Sequence, residues 1–164
     1  MLKKLLLYAL SAVFGSAAAF LLSGFFMITE VKGSGMEPAL HQGGYVLLDR
    51  AAARGAGERI DTGDVIAVRN HIYSEDGEGS ILIRRVAGRS GDSVEIKDDT
   101  LYINDKPYTE HMDEPVHMDD MQPRKLGSGQ FFIMSDDRRS LLDSRNEAIG
   151  LVDIRECIGK VCFK

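Results

Sequence analysis

Cysteine is scarce in this 164-residue chain, which has only Cys157 and Cys162. On one extended strand their odd spacing puts them on opposite faces, where pairing is difficult. Both therefore read as small apolar residues rather than as redox or metal groups. A basic excess is also missing. The formal net charge is -5, from 20 Lys and Arg against 25 Asp and Glu, and this argues against nucleic acid as a partner, because phosphate binders cluster positive charge. No internal repeat or low-complexity tract is present. At 44% apolar and 27% charged residues the composition is neither collagenous, disulfide-dense nor disordered. The length suits one core plus a short appendage.

What is present first is an apolar run. From Leu5 to Ile28 there are 24 residues without a charge, more than the roughly 20 that a helix needs to cross a bilayer. A cleaved signal peptide is the competing reading, since Ser16-Ala17-Ala18-Ala19 offers small residues, but the run exceeds the usual length of such a segment. Lys3 and Lys4 precede it and favour a cytoplasmic N-terminus. Residues 1–28 are thus expected to anchor the chain in the cell membrane, and residues 29–164 to form an extracytoplasmic domain.

That domain reads as short strands joined by Gly and Asp turns. Runs of strand length rich in β-branched or aromatic residues are Tyr45–Leu48, Val65–Val68, Ile81–Ile83, Ser93–Ile96, Thr100–Ile103, Phe131–Met134 and Cys157–Val161. Lys97-Asp98-Asp99 suits a hairpin turn. Arg69–Ser80 and Glu110–Gly129 are polar and loop-like. His111 and His117 lie among acids in the second of these, but the spacing matches no metal-ligand pattern, and a solvated surface is expected. No metal or cofactor is expected. His41 and His71 have no serine beside them in any motif, which leaves a Ser-His-Asp arrangement unsupported.

Several motifs follow in order. Val31-Lys32-Gly33-Ser34-Gly35-Met36-Glu37-Pro38-Ala39-Leu40 stands just after the apolar run. Thr62-Gly63-Asp64-Val65-Ile66 comes next, then Ile83-Arg84-Arg85-Val86-Ala87-Gly88-Arg89-Ser90-Gly91-Asp92 and Leu101-Tyr102-Ile103-Asn104-Asp105-Lys106. Phe131-Phe132-Ile133-Met134-Ser135-Asp136-Asp137-Arg138, Asp143-Ser144-Arg145 and Gly150 complete the series. In this order, behind an anchor, they resemble the motifs of type I signal peptidases, membrane-anchored serine proteases with a Ser-Lys dyad. The resemblance covers nearly the whole chain. It implies an all-β fold, a coiled antiparallel β-sheet domain of signal-peptidase type preceded by one N-terminal transmembrane helix.

The departures fall on the chemistry. The resemblance puts the family's nucleophile at Gly35, its general-base lysine at Arg84 and its supporting serine at Leu141. Glycine has no side chain with which to attack a carbonyl. Lysine serves as a base because burial lowers its pKa, whereas arginine stays protonated. Ser34 is no expected substitute, because in an extended segment neighbouring side chains point to opposite faces and Arg84 still could not act as its base. Glycine 35 then carries no chemistry, and Gly35→Ala is expected to be nearly silent. Arg84 is expected to be held by a carboxylate, Asp143 first, or by backbone carbonyls. Asp143 and Arg145 read as a structural ion pair, and Gly63-Asp64 and Gly91-Asp92 as turns.

The resemblance implies a non-catalytic signal-peptidase-like protein, akin to accessory factors for sortase-linked pilus assembly on Gram-positive cells. Its expected partners are an exported protein or pilin precursor, together with a sortase. Peptide contacts are expected near Gly35, Met36, Pro38, Ile83 and Arg84, where strand edges could accept an extended chain. The alternatives are an active signal peptidase that cleaves leader peptides through another nucleophile, and a decayed paralogue with no current task.

Overall fold

The computed structural model describes residues 2–55, 57–70, 80–109 and 116–163. Helix α1 (Leu2–Phe25) carries the apolar run and is long and apolar enough to cross a membrane. It ends three residues before the expected boundary, because Phe26 to Ile28 open strand β1 (Phe26–Glu30) instead. That strand pairs with β2 (Tyr45–Asp49), setting Phe26 against Asp49 and Glu30 against Tyr45. Half-buried Met27 packs against the core behind it. Alternation of exposed and half-buried residues, rather than apolarity all round, is what makes this stretch a strand.

The other strands are β3 (Val65–Asn70), β4 (Ser80–Gly88), β5 (Ser93–Lys97), β6 (Thr100–Ile103), β7 (Lys106–Pro107), β8 (Met121–Lys125), β9 (Gln130–Met134), β10 (Val152–Asp153) and β11 (Cys157–Phe163). Short 3-10 turns at Arg50–Ala53 and Ile154–Glu156 lead into loop and strand. A seven-stranded sheet has the order β1-β2-β11-β3-β4-β9-β10, and a four-stranded sheet the order β7-β6-β5-β8. Every described pairing is antiparallel. The all-β expectation with one leading apolar helix therefore describes the molecule.

Strand β4 lies inside the larger sheet, and its residues from Leu82 to Gly88 are all buried. It feeds three apolar clusters. Leu82 and Val86 join Ile66, Phe131 and Ile133; Ile83 joins Val31, Met36, Leu40 and Leu48; Ala87 joins Phe132 of β9 with Val94 and Leu101 of the smaller sheet. The β5–β6 hairpin turns through Asp98 and Asp99 at φ of 48° and 60°, the left-handed pair that matches strand twist in a two-residue turn. Short carboxylates tolerate that conformation.

The Glu110–Gly129 segment departs from its loop reading in the part that is described. Residues 121–125 form strand β8, and Met118 and Leu126 are buried. Strand β8 pairs only with β5, so it is an edge, where Pro123 and outward charges are tolerated and leave no apolar alternation to read. His71 and His111 lie outside the described residues. His117 is exposed and hydrogen-bonds Asp99 at 2.6 Å. Cys157 is half-buried and Cys162 exposed, and both are free thiols.

Candidate functional site

The centre is built from the Gly35 turn, strand β4 and the segment after β9. The Gly35 motif is folded back on itself rather than extended. Glu37 N–H donates to Ser34 O at 2.9 Å and Leu40 N–H to Met36 O at 2.8 Å, while Val31 N–H donates to Gly44 O at 2.8 Å to close the loop. The alternation argument for Ser34 therefore does not hold, although its side chain is exposed, away from the buried Gly35. Met36 is the peg of this turn, 1% exposed among Val31, Leu40, Leu48 and Ile83. The side chains of Met36 and Ile83, both expected to meet a peptide, are thus core residues. Of that expected set only Pro38 is exposed.

Arg84 is 3% exposed. Its Nε donates to Leu142 O at 2.7 Å and its Nη1 to Ile83 O at 2.5 Å. Among the described residues no carboxylate pairs with it directly. Backbone carbonyls hold it, and Asp143, the first expected partner, is taken by Arg145. Burial lowers its pKa to about 10, partly offset by the charges of Asp143 and Asp136. It is still a cation at neutral pH and cannot accept a proton.

Gly35 and Arg84 fit each other. A Cβ on Gly35 would stand 2.8 Å from Arg84 Nη2, 2.9 Å from Arg84 Cζ and 3.1 Å from Ser140 Oγ. The guanidinium occupies the space that a side chain at position 35 needs. A side chain at position 35 has to displace the end of the Arg84 side chain, so Gly35→Ala bears on local packing as well as on the chemistry considered above. Ser140, half-buried, is the hydroxyl that sequence reasoning missed at this point. Leu141, beside it, is 60% exposed and does not support Arg84.

Around this centre lies an ion-paired frame. Arg85 grips Asp136 with two hydrogen bonds of 2.7 and 2.6 Å, and its Nη1 donates to Gly63 O at 2.7 Å. Burial pulls the Arg85 pKa down, but the hydrogen bonds and charge of Asp136 outweigh it, and the guanidinium ends above its ordinary value. Asp143 accepts Ser135 N–H at 2.9 Å and pairs with Arg145 through Nε at 2.9 Å and Nη2 at 2.8 Å. Arg145 also donates to Arg138 O and Ser140 O. This pair pins the chain from Arg138 to Arg145 against β9. The Asp64 carboxylate receives Asp61 N–H at 2.8 Å, and that of Asp92 receives Arg89 N–H at 2.9 Å, so both Gly-Asp units are turns. His41 hydrogen-bonds Glu37 at 2.6 Å rather than a serine. Neither described histidine of this domain, His41 or His117, is hydrogen-bonded to a serine.

Sheets, ordered motifs and paired arginines define a signal-peptidase-type domain. Residues 3–164 match the family described as Signal peptidase, peptidase S26, and the chain belongs to that family. It is 34% identical to signal peptidase I of Bacillus licheniformis over 143 residues, covering 81% of this chain and 73% of that protein. Signal peptidase I S of Bacillus subtilis (strain 168) is 32% identical over 173 residues, covering 98% of this chain and 89% of the relative. A solved signal peptidase I from Enterococcus faecalis V583 overlays with a TM-score of 0.48 at 25% identity, over 60% of this chain and 93% of that one.

Proposed function

We propose that this chain is a signal-peptidase-family protein that binds exported peptides without cleaving them. The observation that carries the reading is the Arg84 guanidinium packed onto Gly35, a cation in the space where a nucleophile's side chain would stand. A fixed guanidinium supplies neither attack nor general base. Strand β4 is paired on both sides and has no free edge for an added strand, so the surface left for an extended peptide is the exposed Pro38 beside the Gly35 turn. The apolar helix α1 holds the domain at a membrane, with Lys3 and Lys4 on the cytoplasmic side.

The partner we assign is a pilin precursor presented to a sortase on Gram-positive cells, a reading supported by the dyad departures and by resemblance. Detergent-solubilised protein incubated with a preprotein should yield no processed band. The Gly35→Ser, Arg84→Lys double variant tests whether the backbone donors of an oxyanion site persist, weak cleavage being the expected result. Processing by the unmodified protein that Ser140→Ala or Ser34→Ala abolishes would refute the non-catalytic reading. It would favour active leader-peptide cleavage, the activity named for the relatives. Pilus polymers forming normally in cells that lack the chain would refute the pilin assignment.

A further inference from the structure

The buried centre carries unequal charge. Among the described residues, the side chains of Arg84, Arg85, Arg138 and Arg145 are buried there with two buried carboxylates, Asp136 and Asp143. Arg85 consumes Asp136, and Arg145 consumes Asp143. Arg84 is met by carbonyl oxygens. Arg138 is different. It is 3% exposed, and its Nε and Nη1 are buried without any hydrogen-bond acceptor among the described residues. Such a cation is costly to bury unless an anion or strong acceptor completes it. Burial and the nearby Arg145 charge both push its pKa down, against weaker support from Asp143.

Arg138 lines a cavity of about 300 Å³ whose wall also includes Glu37, Pro38, Val116, Asp136 and Asp137. The acids on that wall are already engaged. Both oxygens of Asp136 are taken by Arg85. Both oxygens of Asp137 are taken by Arg139, which also borders the cavity. Glu37 receives Gln42 N–H on one oxygen and contacts His41 with the other. Among the described residues that line the cavity, the capacity left unmet is that of the Arg138 donors rather than of a carboxylate. Glu37 and Pro38 join the cavity to the Gly35 turn, so a chain laid along that turn reaches it.

We infer that this cavity is a carboxylate-recognition site, in which Arg138 receives an acidic side chain or the C-terminal carboxylate of a bound peptide. The inference rests on the peptide-binding reading above. It deepens that reading by naming the ligand group, since a guanidinium presents two parallel donors that match a carboxylate's two oxygens. Neutral peptide carbonyls fill one donor each and bring no charge.

The test uses the full chain in detergent micelles and short alanine- and leucine-rich peptides carrying an uncharged fluorophore, followed by fluorescence anisotropy. One peptide has an internal Asp and an amidated end, a second is neutral in sequence with a free C-terminal carboxylate, and a third is neutral and amidated. At least one of the first two should bind about tenfold more tightly than the third, the size of one charge-assisted contact. Which of the two it is distinguishes side chain from chain end. Arg138→Gln should erase the preference and Arg138→Lys should keep part of it. Val116→Glu, which leaves Arg138 in place and supplies a competing carboxylate from the cavity wall, should erase it in a folded protein. Equal binding of all three peptides would overturn the carboxylate inference and leave peptide binding standing. Binding of none would overturn both. A preference that persists in both Arg138→Gln and Val116→Glu would remove Arg138 from the site.

Discussion

Arg84 and Arg85 are neighbours on one strand, both buried, and they differ in what answers their charge. Arg85 meets a carboxylate through two parallel hydrogen bonds, while Arg84 meets two carbonyl oxygens and the bare backbone of a glycine. Burial dominates at Arg84 and lowers its pKa, whereas at Arg85 the partner outweighs burial. A residue matched in charge is part of the frame. A residue matched only in shape is part of a local exchange, in which one position has given up a side chain so that another can fill the space.

The Arg85 side should break hardest. Asp136→Ala leaves a buried guanidinium without its carboxylate, and the full chain should lose about 3–5 kcal/mol, read as a lowered midpoint of thermal or denaturant unfolding. A loss under about 1 kcal/mol would place this pair among weakly coupled surface pairs.

The turn that carries Gly35 comes next. Met36→Ala removes its peg from the core, with an expected cost of about 2–5 kcal/mol. Met36→Glu should misfold the turn rather than report on peptide binding, because the carboxylate would be buried without a partner. Proteolysis of the two variants against the parent checks this. A Met36→Glu chain as resistant as the parent would show that Met36 can leave the core.

Gly35→Ala examines the Arg84 side directly. Overpacking against Arg84 should cost about 1–3 kcal/mol, and in an Arg84→Ala background the same change should become nearly neutral. That double-mutant cycle measures how far the two positions are coupled. Additive effects would separate them.

The smallest effect concerns an exposed copy of the Arg85 geometry. Asp153 holds Arg155 with bonds of 2.8 and 2.9 Å and caps the turn after β10. Hydrogen bonds from the Arg155 side chain first, then its backbone N–H, lower the Asp153 pKa to about 2. A depressed folded-state pKa stabilises the fold above the ordinary carboxylate value and loses that contribution as pH falls from near 4 through 2. Asp153→Asn should therefore flatten the acid end of a stability-against-pH profile slightly and leave neutral pH almost unchanged. An unaltered acid limb would deny the pair any role.

Much of this molecule was legible before any coordinates. The β5–β6 hairpin shows in its alternation and paired aspartates, and strand β9 in its apolar run. The positions of Gly35 and Arg84 follow from motif register, and family membership from motif order. Other features were hidden for physical reasons. Strand β8 is an edge with no buried face to impose periodicity. The bidentate pairing of Arg85 with Asp136 spans 51 positions in sequence, which no local pattern reports. The clash at Gly35 depends on where a distant guanidinium is placed, and motif reading ends at residue type. Met36 reads as a contact residue because it stands next to Gly35 in the motif, yet its burial is set by β2 and β4.

Helix α1 passes into β1 without an intervening loop, Phe25 to Phe26, and Arg54 clasps the junction, 5.3 Å above the Phe25 ring and bonded to Gly24 O. In a bilayer such a joint works as a stiff mast rather than a leash. On the proposed anchoring, the domain would not drift outward into the surrounding fluid, and the proposed binding turn would keep a nearly constant height above the lipid. Encounters are then confined to a thin layer, where a partner that is itself tethered is present at a far higher local concentration than a free one.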